Sequence, residues 1–155
     1  MKTYGLIGKS LSHSFSKKYF TEKFDNQGLT DSKYINIELG VIEEFLEKVK
    51  ELKPKGLNVT IPYKEAIFPY LDELDEVAKE IGAVNTIVFK NGNLKGYNTD
   101  AFGFHQSIKP FFKSQHERAL ILGTGGASKA VEYVLKQYGV DVLFASRSET
   151  KDNIL

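Results

Sequence analysis

The chain has 155 residues, 41% of them hydrophobic, and its 21 basic and 20 acidic residues nearly cancel. That is enough apolar material for a sizeable core in one domain or two small ones, while the balance lacks the basic excess of a nucleic-acid binder. With no cysteine, disulfides and thiolate metal sites are excluded, which fits a reducing compartment. The apolar run within residues 1–10 is too short for a signal peptide and is closed by Lys9. No run reaches the length of a bilayer crossing, so the expectation is a soluble, cytoplasmic globular protein.

Residues 3–8 read as a short buried strand. Residues 14–26 carry Phe15, Tyr19, Phe20 and Phe24 at helical spacing. Residues 34–39 alternate as a strand, and 42–52 present Ile42, Phe45, Leu46 and Val49 on one helical face. A third strand, 57–61, runs into Pro62, a residue tolerated in a first helical turn. Strands alternating with helices predict an α/β fold with a mostly parallel sheet. Ligands of such sheets bind beyond the carboxyl ends of the strands. Residues 12–16 and 58–64 therefore fall on one rim.

Residues 83–89 and 94–98 flank Asn91-Gly92, the strongest short hairpin signal. A two-residue turn pairs Lys90 with Asn93, and counting outward sets Asn85 opposite Asn98. Side-chain alternation then predicts Asn85, Asn98 and Asp100 on one face, with Asn85 and Asp100 as diagonal neighbours about 7–8 Å apart. Beyond Asp100, residues 101–112 read as a helix bridging to a second unit. There an apolar strand, 118–122, enters Gly123-Thr124-Gly125-Gly126-Ala127, followed by a helix to about Tyr138, a strand at 140–145, and Ser146-Arg147-Ser148. The expected domains are 1–101 and 102–155, the second an incomplete Rossmann-like unit.

Each motif has a plain structural reading beside a functional one. Ser14 and Ser16 sit at a helix start, where ordinary capping explains a serine; their place on the rim raises a ligand role. Lys64 alone reads as a solvated lysine, but at the head of a rim helix its ammonium could donate a proton to a substrate oxygen, with Asp100 as countercharge. Asp100 also reads as a helix N-cap. His13 has no partner ligands for a metal. The glycine loop follows a strand and opens a helix, as a phosphate-binding turn requires; its third small position is Ser128 rather than glycine. Arg147 suits a 2′-phosphate and so NADP, while Glu149 keeps NAD open. No serine has a convincing histidine–acid set for a nucleophile triad.

Taken together, Ser12-His13-Ser14-Phe15-Ser16, Asn58-Val59-Thr60-Ile61-Pro62-Tyr63-Lys64, Gly82-Ala83-Val84-Asn85-Thr86, Gly96-Tyr97-Asn98-Thr99-Asp100 and the glycine loop resemble the shikimate dehydrogenase family. The resemblance implies that Ser14, Ser16, Asn58, Thr60, Lys64, Asn85, Thr99 and Asp100 surround shikimate, with Lys64 and Asp100 as the catalytic pair. It implies NADP held by Gly123, Thr124, Gly125, Gly126, Ala127, Ser146, Arg147 and Ser148. Lys17 stands where the family often has proline, and Ser146 where asparagine commonly precedes the arginine. The family continues well past Leu155, so the resemblance implies a chain cut short, inactive alone and exposing sheet edges that invite a homo-oligomer or a strand-swapped dimer. The rival readings are a non-catalytic shikimate-binding fragment and an NAD-using quinate or shikimate dehydrogenase.

Overall fold

The fold comes from a computed structural model, which describes residues 1–146 and the short strand Asn153–Ile154. The elements run β1 (Lys2–Gly8), α1 (Ser16–Asn26), β2 (Ser32–Glu38), α2 (Phe45–Leu52), β3 (Gly56–Val59), α3 (Tyr63–Ala66), β4 (Glu73–Leu74), α4 (Glu76–Ile81), β5 (Thr86–Lys90), β6 (Asn93–Tyr97), α5 (Asp100–Ile108), β7 (Arg118–Leu122), α6 (Gly126–Gln137), β8 (Asp141–Ala145) and β9 (Asn153–Ile154). They form a six-stranded sheet in the order β2-β1-β3-β5-β6-β4 and a three-stranded sheet β7-β8-β9.

In the larger sheet, β1 pairs in parallel with β2 and β3, whereas β5 runs antiparallel to both β3 and β6. The carboxyl ends of β1, β2, β3 and β6 and the first residue of β5 consequently share one rim. The hairpin has the expected register, from Lys90 opposite Asn93 through Thr86 opposite Tyr97. Its turn residues Asn91 and Gly92 have φ of 53° and 86°, the double positive φ that the primed turn demands and Asn-Gly accommodates.

Several local expectations shift. The first helix starts at Ser16, not Ser14. β5 begins at Thr86, because Gly82 ends α4 in the left-handed conformation and residues 83–85 climb to the sheet as a loop. Pro62 precedes α3 as its cap rather than opening its first turn, and α3 is a single turn. Residues 65–82, which show no clean periodicity, hold two further short elements, β4 and α4. The smaller sheet gains a third strand, since β9 extends β8 in parallel and covers an edge expected to be bare.

The main core lies between the large sheet and α2, α3 and α4, with Phe45, Ile7, Leu39, Ile67 and Ile87 fully buried. A second cluster, Ile81, Ala83, Ala101, Ala130 and Val134, joins α4 and α5 to α6 and so links the two sheets. The small residues there let the helices approach closely. Truncating a fully buried phenylalanine removes transfer energy and leaves a cavity. Phe45→Ala is therefore expected to lower the unfolding free energy by about 3–5 kcal/mol in urea titration, and a loss below about 1 kcal/mol would contradict this packing.

Candidate active-site rim

At the rim the polar side chains form one connected run of hydrogen bonds. The buried Tyr34 hydroxyl, on β2, donates to Asn58 Oδ1 at 2.8 Å. Asn58 Nδ2, on β3, donates to Thr86 Oγ1 at 3.3 Å and to the Asn85 carbonyl at 3.4 Å. Thr86 Oγ1 donates to Asn85 Oδ1 at 3.0 Å. Asn85 Nδ2 in turn donates to Thr99 Oγ1 at 2.9 Å and Asp100 Oδ1 at 2.7 Å, while its Oδ1 accepts from the Thr99 backbone N–H at 2.9 Å. Lys64 Nζ closes the run on Asp100 Oδ2 at 2.6 Å.

Each position has a local cause. Asn85 is 8% exposed, and a buried amide must find partners for both its ends. Its backbone is held by the strands on either side: the N–H donates to Tyr97 O at 3.0 Å and the carbonyl accepts from Val59 N at 2.8 Å. That leaves the side chain aimed at the turn into α5. The N-cap expectation for Asp100 needs correction. Asn98 Oδ1 accepts from the N–H groups of Asp100 and Ala101 at 3.0 and 3.2 Å, and Asn98 Nδ2 anchors to Ala83 O at 2.9 Å. With the cap supplied by Asn98, both carboxylate oxygens of Asp100 are left for Asn85 and Lys64. Asn85 and Asp100 touch, as a shared face requires, while Asn98 turns its side chain to Ala83 O and the first N–H groups of α5.

Lys64 is fixed by the single turn of α3. Its backbone carbonyl accepts from Val84 N at 2.7 Å, and its side chain is only 13% exposed against 35% for Asp100. The pair is thus shielded on the lysine side and open on the carboxylate side. Other exposed ion pairs, such as Lys2–Asp31 at 2.9 Å, are of the weak surface kind.

Ser14, Ser16 and Thr60 line an open cleft of about 720 Å³ together with His13 and Pro62. Ser14 Oγ accepts from the Ser16 N–H at 3.2 Å, so the capping reading holds for Ser14, one residue outside the helix cap at Phe15. Lys64 and Asp100 are not among the residues lining this cleft, and neither are Asn58, Asn85 and Thr99. Two members of the run went unassigned in the sequence reading. Tyr34 lies in the alternating strand 34–39, and Thr86 lies in the Gly82–Thr86 motif. A buried tyrosine hydroxyl, which normally seeks a partner, was the available signal for the first.

In the second unit, Gly123 has φ of 105° and donates its N–H to Ala145 O at 2.8 Å, turning the chain off β7 in a conformation that suits glycine. Gly125 caps α6, and open space surrounds the point where a Cβ would stand. Thr124 and Ala127 are exposed and Gly126 and Ser146 are half-buried. Arg147 and Ser148 lie outside the described residues. Among the described residues no group of three or more histidine or acidic side chains could hold a metal, and no helix is long and apolar enough to cross a membrane.

These features define an α/β protein with a polar rim site at strand ends, coupled to the start of a glycine-loop unit. Residues 6–87, just over half of the chain, match the family profile described as the shikimate dehydrogenase substrate binding domain. The chain is 42% identical over 151 residues to shikimate dehydrogenase (NADP(+)) of Methanosphaera stadtmanae, covering 96% of this chain and 53% of that protein. The crystal structure of shikimate dehydrogenase 1 from Peptoclostridium difficile superposes with a TM-score of 0.90 at 39% identity, covering 100% of this chain and 60% of that one. Shikimate 5-dehydrogenase from Thermus thermophilus, solved with NADP(H) and shikimate, gives 0.82 at 32% identity over 96% of this chain and 57% of its own. The chain belongs to the shikimate dehydrogenase family. It spans about half the length of the curated relatives it matches.

Two outcomes test the rim. Asn85→Leu strands the Thr99 N–H and one Asp100 oxygen, and is expected to cost about 1–3 kcal/mol of stability; a neutral result in denaturant titration would contradict the network. Burial pushes the Tyr34 phenol above the usual tyrosine range, with the Ser16 hydroxyl pulling weakly the other way. The unfolded chain therefore loses this proton above about pH 10 while the folded chain keeps it. Stability is intact below that pH and falls as pH rises through it. Melting curves between about pH 9 and 11.5 are expected to show a shallower decline in Tyr34→Phe than in the wild type.

Proposed function

We propose that this chain supplies the shikimate-binding half and the proton-transfer pair of an NADP-dependent shikimate dehydrogenase, which interconverts 3-dehydroshikimate and shikimate. The observation that carries the reading is the 2.6 Å contact of Lys64 with Asp100, tied through Asn85 to the strand-end rim. The names of the relatives and the ligands of the Thermus thermophilus structure support it. Residues 1–101 act as the substrate-binding domain, and residues 102–155 begin the nucleotide-binding domain.

Ser14 and Ser16, at the cleft's entrance to α1, hold the substrate carboxylate; Asn58, Thr60, Asn85 and Thr99 hold hydroxyls. Lys64 Nζ, a charged donor with restricted freedom, reaches the oxygen at the reacting carbon. In the reducing direction it passes a proton to that oxygen as negative charge develops, and in the oxidising direction it takes the proton back. Asp100 is the countercharge that holds the amine, and its open side offers an acceptor to a neighbouring hydroxyl. The positive φ at Gly123 and the open space over Gly125, at the head of α6, suit close approach of a phosphate to backbone N–H groups. NADP held there by the glycine loop and Ser146-Arg147-Ser148 would supply the hydride.

The test has two parts. Shikimate titrated into the chain is expected to shift the amide resonances of residues 14–16, 58–64, 85–86 and 98–100; shifts confined elsewhere would sink the site. In a protein of the relatives' full length, Lys64→Ala is expected to reduce kcat by about 10²-fold or more with a much smaller change in shikimate KM. Unchanged turnover would remove Lys64 from the chemistry.

A further inference from the structure

Gly126 belongs to the glycine loop, yet its nearest surroundings lie in the other unit. A Cβ built on Gly126 would stand 2.8 Å from Lys64 Cβ, 3.3 Å from Lys64 Cδ and 3.3 Å from Ala83 Cβ. Two of those atoms are Cβ atoms fixed by their backbones. The Lys64 backbone is further pinned by the bond from Val84 N, so no rotamer change relieves the contact. The bare Cα of Gly126 therefore fills a slot between Lys64 and Ala83, and the lysine stem lies directly against it. By contrast, nothing stands within 4 Å of the corresponding point on Gly125.

A second contact ties the same surfaces together. Lys129, three residues along α6 and on the same helical face, places Nζ 2.5 Å from Glu65 Oε2. Glu65 is the residue after Lys64 on α3. The first turn of α6 thus meets α3 twice, by close packing at Gly126 and by an ion pair at Lys129.

We propose that Gly126 is a positioning residue for Lys64. The helix leaving the glycine loop forms one wall against the lysine stem and directs its Nζ onto Asp100. This rests on the functional reading above only for its catalytic consequence; the steric contact itself is independent of it. Glycine at 126 then meets two demands, backbone approach at the loop and room for the lysine. A methyl group there must displace α6 or α3, moving the amine off the carboxylate while the rest of the rim keeps its hydrogen bonds.

The experiment is competitive acetylation of the chain with acetic anhydride, read lysine by lysine by mass spectrometry, in the wild type and Gly126→Ala. Lys64 is expected to label slowly in the wild type and at least about five times faster in the variant, with the exposed Lys2 unchanged as internal reference. A folded Gly126→Ala with unaltered Lys64 labelling overturns the proposal. Should the variant fold poorly, Lys64→Gly/Gly126→Ala moves the missing Cβ from one side of the slot to the other. The loss of melting temperature caused by Gly126→Ala is then expected to be smaller in the Lys64→Gly background, and an equal loss in both overturns the steric claim. These readouts need no ligand, so they separate failure of the positioning claim from failure of the shikimate reading. In a protein of full length, the same substitution is expected to lower kcat more than it raises shikimate KM.

Discussion

The site depends on a single buried amide satisfying both of its ends. Asn85 lies at the foot of β5 between two strands, and burial there obliges its side chain to bond or to cost stability. It does so by reaching across to the turn into α5, where it holds Thr99 and Asp100 together. One carboxylate oxygen is thereby held by Asn85 and the other is left for Lys64. A charged pair with one shielded and one open partner follows.

The remaining architecture serves this arrangement. Parallel β1 and β3 bring Ser14, Ser16, Asn58 and Thr60 to the rim, and the antiparallel hairpin β5–β6 returns the chain so that residues 85 and 100 meet. Asn98 frees Asp100 by capping α5 itself. The cluster of small residues linking α4, α5 and α6 then lets the second unit approach closely enough for Gly126 to touch Lys64. Neighbouring polar motifs have divided their tasks: Asn98 holds the start of α5, Asp100 receives Lys64, and Asn85 joins Asp100 to the strand ends.

Much of this was legible from short-range chemistry. The Asn-Gly turn set the hairpin register, because that dipeptide tolerates two successive positive φ values at little cost. The helical spacing of α2, the strand before the glycine loop and the helix after it were equally plain. Less legible were residues 65–82, whose elements are too short to show a period, and the start of α1, where two serines offered competing caps. A tyrosine in an alternating strand, such as Tyr34, reads as core until its hydroxyl's partner is known. Only the folded chain shows that partner to be Asn58.

By itself, the sequence determined the types of the longer elements, the hairpin register and the family to which the chain belongs, since each is written in residues a few positions apart or in motifs whose order survives without coordinates. The expected pairing of Lys64 with Asp100 is a 2.6 Å contact in the fold, while tertiary structure alone decided that Asn98 rather than Asp100 caps α5 and that Gly126 borders the lysine stem. The Lys64–Asp100 and Gly126–Lys64 contacts join backbones far apart in the chain, and Asn98 is turned to α5 by its anchor on Ala83 O, 15 positions away. They arise from how sheet, hairpin and helices pack against one another, and no local pattern of residues encodes that packing.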